Sequence, residues 1–343
     1  MKLGAGSAKA GGGKAGSGAA GEAGAAAALV RGVLEQSVVS DVVAAQLGGA
    51  GAGLVRCQST EDVLTAVERL AHAKVSCAPV VEAKGGALVG LLDFGDVVAC
   101  LLRLDLDAFK EGEELWAALG QVPVSRAAGL SESNSVVEVA QGAPLAEAVR
   151  LIARRGVRRC VVTAGGAARP GGAALAILSP RALVRHVMQG LRGRSDALLS
   201  RSVEELRCGR GPVNSVSKGA ALVEAFSVML EARQSVVAVV DPHTGALSGS
   251  ISMSDIKSVF AARRWGMMTA SCWKFIVDAR ERSDTEAFPF FGVLPSDRLS
   301  TVCSKLLATN VHHLYLVDSE AHKPLAVIGF VEICSTLCEQ LKL

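Results

Sequence analysis

A single supersecondary unit recurs four times along this chain at intervals of roughly 80 residues, and such a unit cannot bury its own apolar faces without neighbours. An amphipathic helical stretch, such as Val63-Leu64-Thr65-Ala66-Val67-Glu68-Arg69-Leu70, leads into a short apolar strand. The four strand cores are Ala78-Pro79-Val80-Val81-Glu82, Cys160-Val161-Val162-Thr163, Ala238-Val239-Val240-Asp241 and Tyr315-Leu316-Val317-Asp318. Each is followed by a polar or Gly-rich turn, for example Asp241-Pro242-His243-Thr244-Gly245, then by a second β-rich run and a helix start. The closing segments are Gly90 to Asp96, Ala176 to Ala182, Gly249 to Asp255 and Gly329 to Ser335. The spacing predicts β-α-β-β-α units that close their cores in pairs, two plus two.

The 343 residues, 50% apolar and 20% charged, are enough for two domains with sizeable cores. Charged residues interrupt every apolar run before the roughly 18 residues that a membrane span requires, Val97 to Leu106 included. A net charge of +3 implies no polyanionic partner, but thirteen arginines, no lysine and four acids lie between Glu147 and Arg210. Arginine forks suit phosphate or carboxylate, and such a stretch is also compatible with a solvated helix face. One Tyr and three Trp provide few rings for base stacking, so nucleic acid is not expected as a partner. The nine scattered cysteines include no C-x-x-C pair and read as small buried hydrophobes in a reducing compartment. Cys334 and Cys338 stand four apart on a predicted helix, but no further ligand completes a metal site.

Residues 1–36 are expected to be a disordered tail, because 1–28 are almost entirely Gly, Ala, Ser and Lys, with too little apolar bulk to offset ordering. Residues 37–192 are assigned to a first pair of repeats (about 50–104 and 134–190) and 193–211 to a polar linker. Residues 212–343 form a second pair (about 212–262 and 288–343). A packing helix is predicted from Ala261 to Arg282. The absence of Arg before position 31 disfavours a transit peptide, so a cytoplasmic or nuclear location is expected over a chloroplast one.

The segments Lys74 to Val81, Gly249 to Asp255 and Val311 to Asp318 resemble cystathionine-β-synthase (CBS) domains. The four-repeat layout is similar to the γ regulatory subunit of AMP-activated and plant sucrose-nonfermenting-related protein kinases, and the Ala/Gly-rich composition suggests a plant or algal member. The resemblance covers the chain from about Ser37 onward. It implies an α/β fold of four CBS repeats paired into two Bateman modules as a disk. It also implies adenine nucleotide (AMP, ADP or ATP) in the clefts between repeats, and no other cofactor.

In that family a Ser/Thr-x-x-Asp segment at the start of the closing helix meets the ribose. An ionised carboxylate accepts hydrogen bonds from both ribose hydroxyls, while the helix N-terminus favours phosphate. Ser252-x-x-Asp255 matches in full and Asp93-x-x-Asp96 keeps the acid; Ala182 and Ser335 stand where the other two repeats would carry theirs. The same spacing is equally that of a capping box. For phosphate, the resemblance implies the basic pairs Arg158-Arg159 and His312-His313, the histidines alternatively being a core or surface pair. If they bind phosphate, affinity in the second module falls as pH rises. Ser76 stands where animal γ subunits carry Arg, so one phosphate contact is missing.

No glycine-rich phosphate loop, dinucleotide fingerprint or H-E-x-x-H motif occurs, and the repeats occupy nearly all of the chain, so an enzyme is not expected. The resemblance implies an energy-sensing regulatory subunit whose partners are a protein kinase catalytic α subunit and a β scaffold subunit. The alternative is a CBS-pair scaffold or adaptor that senses no nucleotide and regulates another enzyme.

Overall fold

The computed structural model describes residues 28–47, 53–104, 112–132, 135–165, 173–261, 263–281 and 290–343. Residues 1–27, where most of the expected tail falls, lie outside the described residues.

Each repeat is a three-stranded sheet with two helices. Repeat 1 holds β1 (Cys57–Gln58), α1 (Val63–His72), β2 (Cys77–Val81), β3 (Leu88–Asp93) and α2 (Phe94–Leu102). Repeat 2 holds β4 (Glu138–Ala140), α3 (Leu145–Arg155), β5 (Cys160–Thr163), β6 (Ala176–Leu178) and α4 (Pro180–Gly190). Repeat 3 holds β7 (Ser215–Ser217), α5 (Leu222–Glu231), β8 (Val236–Val240), β9 (Leu247–Ser252) and α6 (Ile256–Ala261), entered through a 3-10 turn, Met253–Asp255. Repeat 4 holds β10 (Gly292–Val293), α7 (Leu299–Ala308), β11 (His313–Val317), β12 (Pro324–Gly329) and α8 (Phe330–Gln340). In every sheet the middle strand pairs parallel with the first and antiparallel with the third.

The local causes are legible in the residues. On α1, Val63, Ala66, Val67 and Leu70 are buried at helical spacing, and Asp62 caps the N-terminus by accepting from the Thr65 amide at 2.8 Å. On α3, Leu145, Ala148, Val149 and Ile152 repeat that stripe, and Gly156 ends the helix in the left-handed region at φ 63°. The third and fourth hairpins turn on Asp241 and Asp318, whose Oδ1 atoms accept from the two backbone amides two and three residues ahead.

Pairing follows from two kinds of contact. Sheet faces join repeat 1 to repeat 2 through Cys77, Leu91, Val161 and Ala174, and repeat 3 to repeat 4 through Val236, Ala238, Leu247, Tyr315 and Val327. Helical layers join the pairs: one core merges repeats 1 and 3, the other repeats 2 and 4. In these layers α8 lies along α3, and α5 packs against α2. The contacts run 1–2–4–3 and back to 1, a closed ring with a centre.

Within each pair the arms are exchanged. The segment before repeat 1 bridges repeat 2 (Val38 with Pro144), and the segment before repeat 2 bridges repeat 1 (Asp62 with Pro123). Repeats 3 and 4 do the same through Ser202 with Arg298 and Ala221 with Ser271. This reciprocity distinguishes the pairs 1+2 and 3+4 from the helical contacts between them.

Three segments differ from expectation. Residues 28–36, counted with the tail, form a helix whose Val30 and Leu34 are buried in the core of repeats 2 and 4; the Val30 amide donates to buried Asp196. The presumed linker carries Leu198, Leu199, Val203, Leu206 and Cys208 into that same core, an apolar load hidden in sequence by its glycines and arginines. The single helix expected from Ala261 to Arg282 is not formed: α6 ends at Ala261, Arg263 turns the chain at φ 46°, a 3-10 turn spans Trp265–Met267 and a helix runs from Cys272 to Glu281. Met267, Met268 and Phe275 of this stretch are buried in the core of repeats 1 and 3, whereas Trp273 stays exposed.

Candidate functional site

Register fixes which residues face the centre. Cys77 pairs with Asp93, Val236 with Ser252 and His313 with Gly329, at the same spacing in all three repeats. In repeat 2 Cys160 pairs with Leu178, which puts Ser179 at the equivalent place. These residues, Asp93, Ser179, Ser252 and Gly329, stand at the N-caps of the closing helices. Three residues on come Asp96, Ala182, Asp255 and Glu332.

The fourth repeat therefore does carry the acid, and it is Glu332 rather than Ser335. Aligning Gly329 with Gly249, as their shared residue type invites, shifts the fourth repeat by three residues. In the structure Gly249 pairs with Val239 inside its hairpin, whereas Gly329 stands at the end of its own. The equal spacing from the start of each middle strand was the signal that finds Glu332. Ser335 lies one turn further into α8, its hydroxyl donating to the Val331 carbonyl.

All four repeats line one cavity of about 700 Å³ at the centre of the ring. Ser76 and Asp93 come from repeat 1, Arg158, Arg159 and Arg181 from repeat 2, Ser252 and Asp255 from repeat 3, and His312, His313 and Glu332 from repeat 4. The structure thus brings together six of the seven candidate residues: Arg158, Arg159, Ser252, Asp255, His312 and His313. Asp96 is not among the lining residues. Its Oδ1 accepts from the Ser131 amide at 3.0 Å and the Ser131 hydroxyl at 2.7 Å, and its Oδ2 from the Asp93 amide at 3.0 Å. At 0% exposure it caps its helix away from the cavity lining, where the sequence had placed it at a ligand. Burial and then the neighbouring Asp93 push its carboxyl up to about 6.

Asp255 is held differently. Both of its hydrogen bonds fall on Oδ2, from the Ser252 amide at 2.6 Å and the Ser252 hydroxyl at 3.0 Å. Among the described residues Oδ1 accepts no hydrogen bond. Burial raises its pKa against the pull of those bonds and of Lys257. Ser252 and Asp255 form the capping box, and both also line the cavity.

The basic groups gather opposite. Arg159 donates to the Ser76 hydroxyl at 2.7 Å and to the Arg158 carbonyl at 2.6 Å. Ser76, in the place expected to lack a phosphate contact, orients an arginine from the next repeat. Burial holds Arg158 below its usual pKa, opposed chiefly by Asp93. Arg181, the second residue of α4, also lines the cavity, although its place beside Ala182 in the repeat gave no sign of it. The His313 ring meets the Ser235 hydroxyl at 3.2 Å, and the His312 ring lies edge-on to Phe330 at 6.3 Å. Desolvation, then Arg159, Arg181 and Lys257, push His312 down to about 4; burial, then His312, Arg158 and Arg210, push His313 down to about 3. Both rings are neutral at pH 7 in the free protein. Positive charge at this pH comes from arginine.

The cavity also has an apolar side, where Phe290, Phe291, Val236 and Val327 surround Tyr315, whose hydroxyl meets the Ser250 hydroxyl at 3.1 Å across the two sheets. Such a mixture of flat apolar wall, carboxylate and arginine forks suits a ligand with a ring, a diol and an anionic group. No cluster of metal-ligating residues occurs among the described residues. Eight of the nine free cysteines are buried and Cys338 partly so, and burial pushes thiols such as Cys57 and Cys160 up to about 12. No helix of the described residues is long and apolar enough to cross a membrane.

The fold is that of CBS domains: mixed α/β repeats paired as Bateman modules. The family model described as "CBS domain" matches residues 52–103. Among curated proteins, Protein SDS23 of Saccharomyces cerevisiae is 27% identical over 295 residues, covering 80% of this chain and 55% of that protein. Protein SDS23 of Yarrowia lipolytica is 30% identical over 211 residues, covering 59% and 41%. The chain spans about half the length of the curated relatives it matches. These relatives are fungal SDS23 proteins, not the kinase γ subunits that the four-repeat layout resembles nor the plant or algal members that composition suggested. Among solved structures, a Methanocaldococcus jannaschii protein described as a candidate archaeal homologue of γ-AMPK superposes with a TM-score of 0.66 at 14% identity, over 87% of this chain and 99% of that one. That likeness concerns the fold.

Proposed function

We propose that this chain is a non-catalytic regulatory protein that binds adenine nucleotide in its central cavity and passes the binding state to a protein kinase. The observation that carries this reading is the junction of Asp255, with an open carboxylate oxygen, and the arginines 158, 159 and 181 around one cavity of nucleotide size. The carboxylate takes the ribose hydroxyls, and the apolar wall around Tyr315 takes the base. The arginines of repeat 2 take the phosphates. Because these groups come from different repeats, a bound nucleotide ties the two modules together. It thereby favours whichever assembly makes the cavity complete.

The partners in this reading are a kinase catalytic α subunit and a β scaffold subunit, in the cytoplasm or nucleus. Calorimetric titration with AMP, ADP and ATP tests the ligand: binding in the micromolar range that Asp255→Ala weakens at least tenfold, about 1.4 kcal/mol, is expected. Flat traces with all three nucleotides would leave the scaffold reading. Co-purification with the two kinase subunits tests the partners separately, and retention of neither refutes the kinase assignment.

A further inference from the structure

The three N3 carboxylates, chemically alike, are in three different states. In repeat 3 Asp255 uses Oδ2 to cap its helix and leaves Oδ1 free. In repeat 1 the corresponding oxygen of Asp96 is filled by two donors of this same chain, the Ser131 amide and hydroxyl, in a fully buried setting. Two donors converging on one carboxylate oxygen are what a ribose diol would supply, so Ser131 takes the place of a ligand there. In repeat 4 Glu332 caps with Oε2, accepting from the Gly329 amide at 3.0 Å. Its other oxygen, Oε1, faces the Arg210 guanidinium at 3.6 Å. Arg210 belongs to the arm leading to repeat 3, and its backbone is pinned to repeat 4 by two hydrogen bonds with Val327, of 2.8 and 2.9 Å. Both Arg210 and Glu332 line the cavity.

We infer that Glu332 is a second diol-binding carboxylate, and that Arg210 is an internal occupant that holds this site closed. The inference rests on the reading of Asp255 as a ribose acceptor. The two closures differ in permanence. Ser131 is buried, with bonds at ordinary hydrogen-bond distance, and opening it would strand a buried carboxylate. Arg210 is half exposed, its ion pair is long, and only its side chain has to swing for Oε1 to become free. Glu332 is mostly buried but Arg210 keeps half of its side chain in solvent, so the latch is weak and holds off a competing ligand by roughly 1.4- to fivefold. The chain thus holds one ready site at Asp255, one latched site at Glu332 and one sealed position at Asp96.

Ligand-detected NMR titration separates the latch from simple charge effects, because adenosine carries the diol without the phosphate. Arg210→Ala is expected to strengthen adenosine binding about 1.4- to fivefold through a component that Arg210→Ala/Glu332→Ala lacks and Arg210→Ala/Asp255→Ala retains. With AMP the gain is smaller, because the variant also removes a cation from the cavity. Weaker adenosine binding in Arg210→Ala, or a gain that survives the loss of Glu332, overturns the latch, as does an absence of adenosine binding in the wild type and Arg210→Ala alike. The Asp255 reading fails on a different result: wild-type binding that Asp255→Ala leaves unchanged. Circular dichroism of each variant confirms that the fold is retained, which the pinned backbone of Arg210 favours.

Discussion

At the residue scale, the same carboxylate placed three residues into a helix acquires different properties from its surroundings. Asp96, sealed and adjacent to Asp93, has its pKa raised from 3.8 to about 6. A raised carboxyl means that the folded state holds its proton where the unfolded chain has released it. The contribution of this group to stability therefore falls as pH rises from about 4 to about 6 and is level above that. Asp96→Asn removes the titration, so denaturation midpoints measured from pH 4 to 7 should show wild type losing stability relative to the variant across that interval; parallel curves would refute it. Asp255 and Glu332 share the position without the seal, one facing open cavity and the other an arginine. Sequence placed the acids at positions 96 and 255 at the same point of the motif, distinguished only by Asp93 in place of Ser252. Their difference lies in Ser131, 35 residues away from Asp96, which no local pattern announces.

At the element scale, the helices and strands arise from patterns a reader of the sequence can see. The apolar stripe of α3, ended by Gly156, is one such case. At φ 63° no neighbouring atom lies near an added Cβ, so the only obstacle at this glycine is the left-handed backbone itself. Gly156→Ala should cost about 1–2 kcal/mol in chemical denaturation, with the slope of the transition unchanged. The arm at 197–210 was harder to recognise. Its arginines and glycines suggest a solvated linker, yet Leu198, Leu199, Val203 and Leu206 are buried, because they fill a gap in a core built by repeats 2 and 4. Apolar residues in such a short, irregular segment have no period to betray them. The same applies to the helix at 28–36, which is anchored by a partner 166 residues away.

At the scale of the whole molecule, the four repeats close a ring through alternating sheet and helix contacts, and that closure creates the cavity. Phe226 shows how the contacts are shared: fully buried on α5, it belongs to the core that merges repeats 1 and 3. Phe226→Ala should destabilise the protein by about 3–5 kcal/mol. Because the core spans both modules, calorimetry should show one lowered transition; two separated transitions would mean that the modules melt independently. The number of repeats, their β-α-β-β-α order and the capping acid at Asp255 were determined by the amino-acid sequence alone, since short-range periodicity and turn chemistry write themselves into neighbouring residues. The exchange of arms, the register that makes Glu332 the fourth acid, and the arginine and serine that occupy two of the three carboxylates were decided only by tertiary structure. Those features depend on which distant donor reaches which oxygen, and distance along the chain carries no record of distance in space.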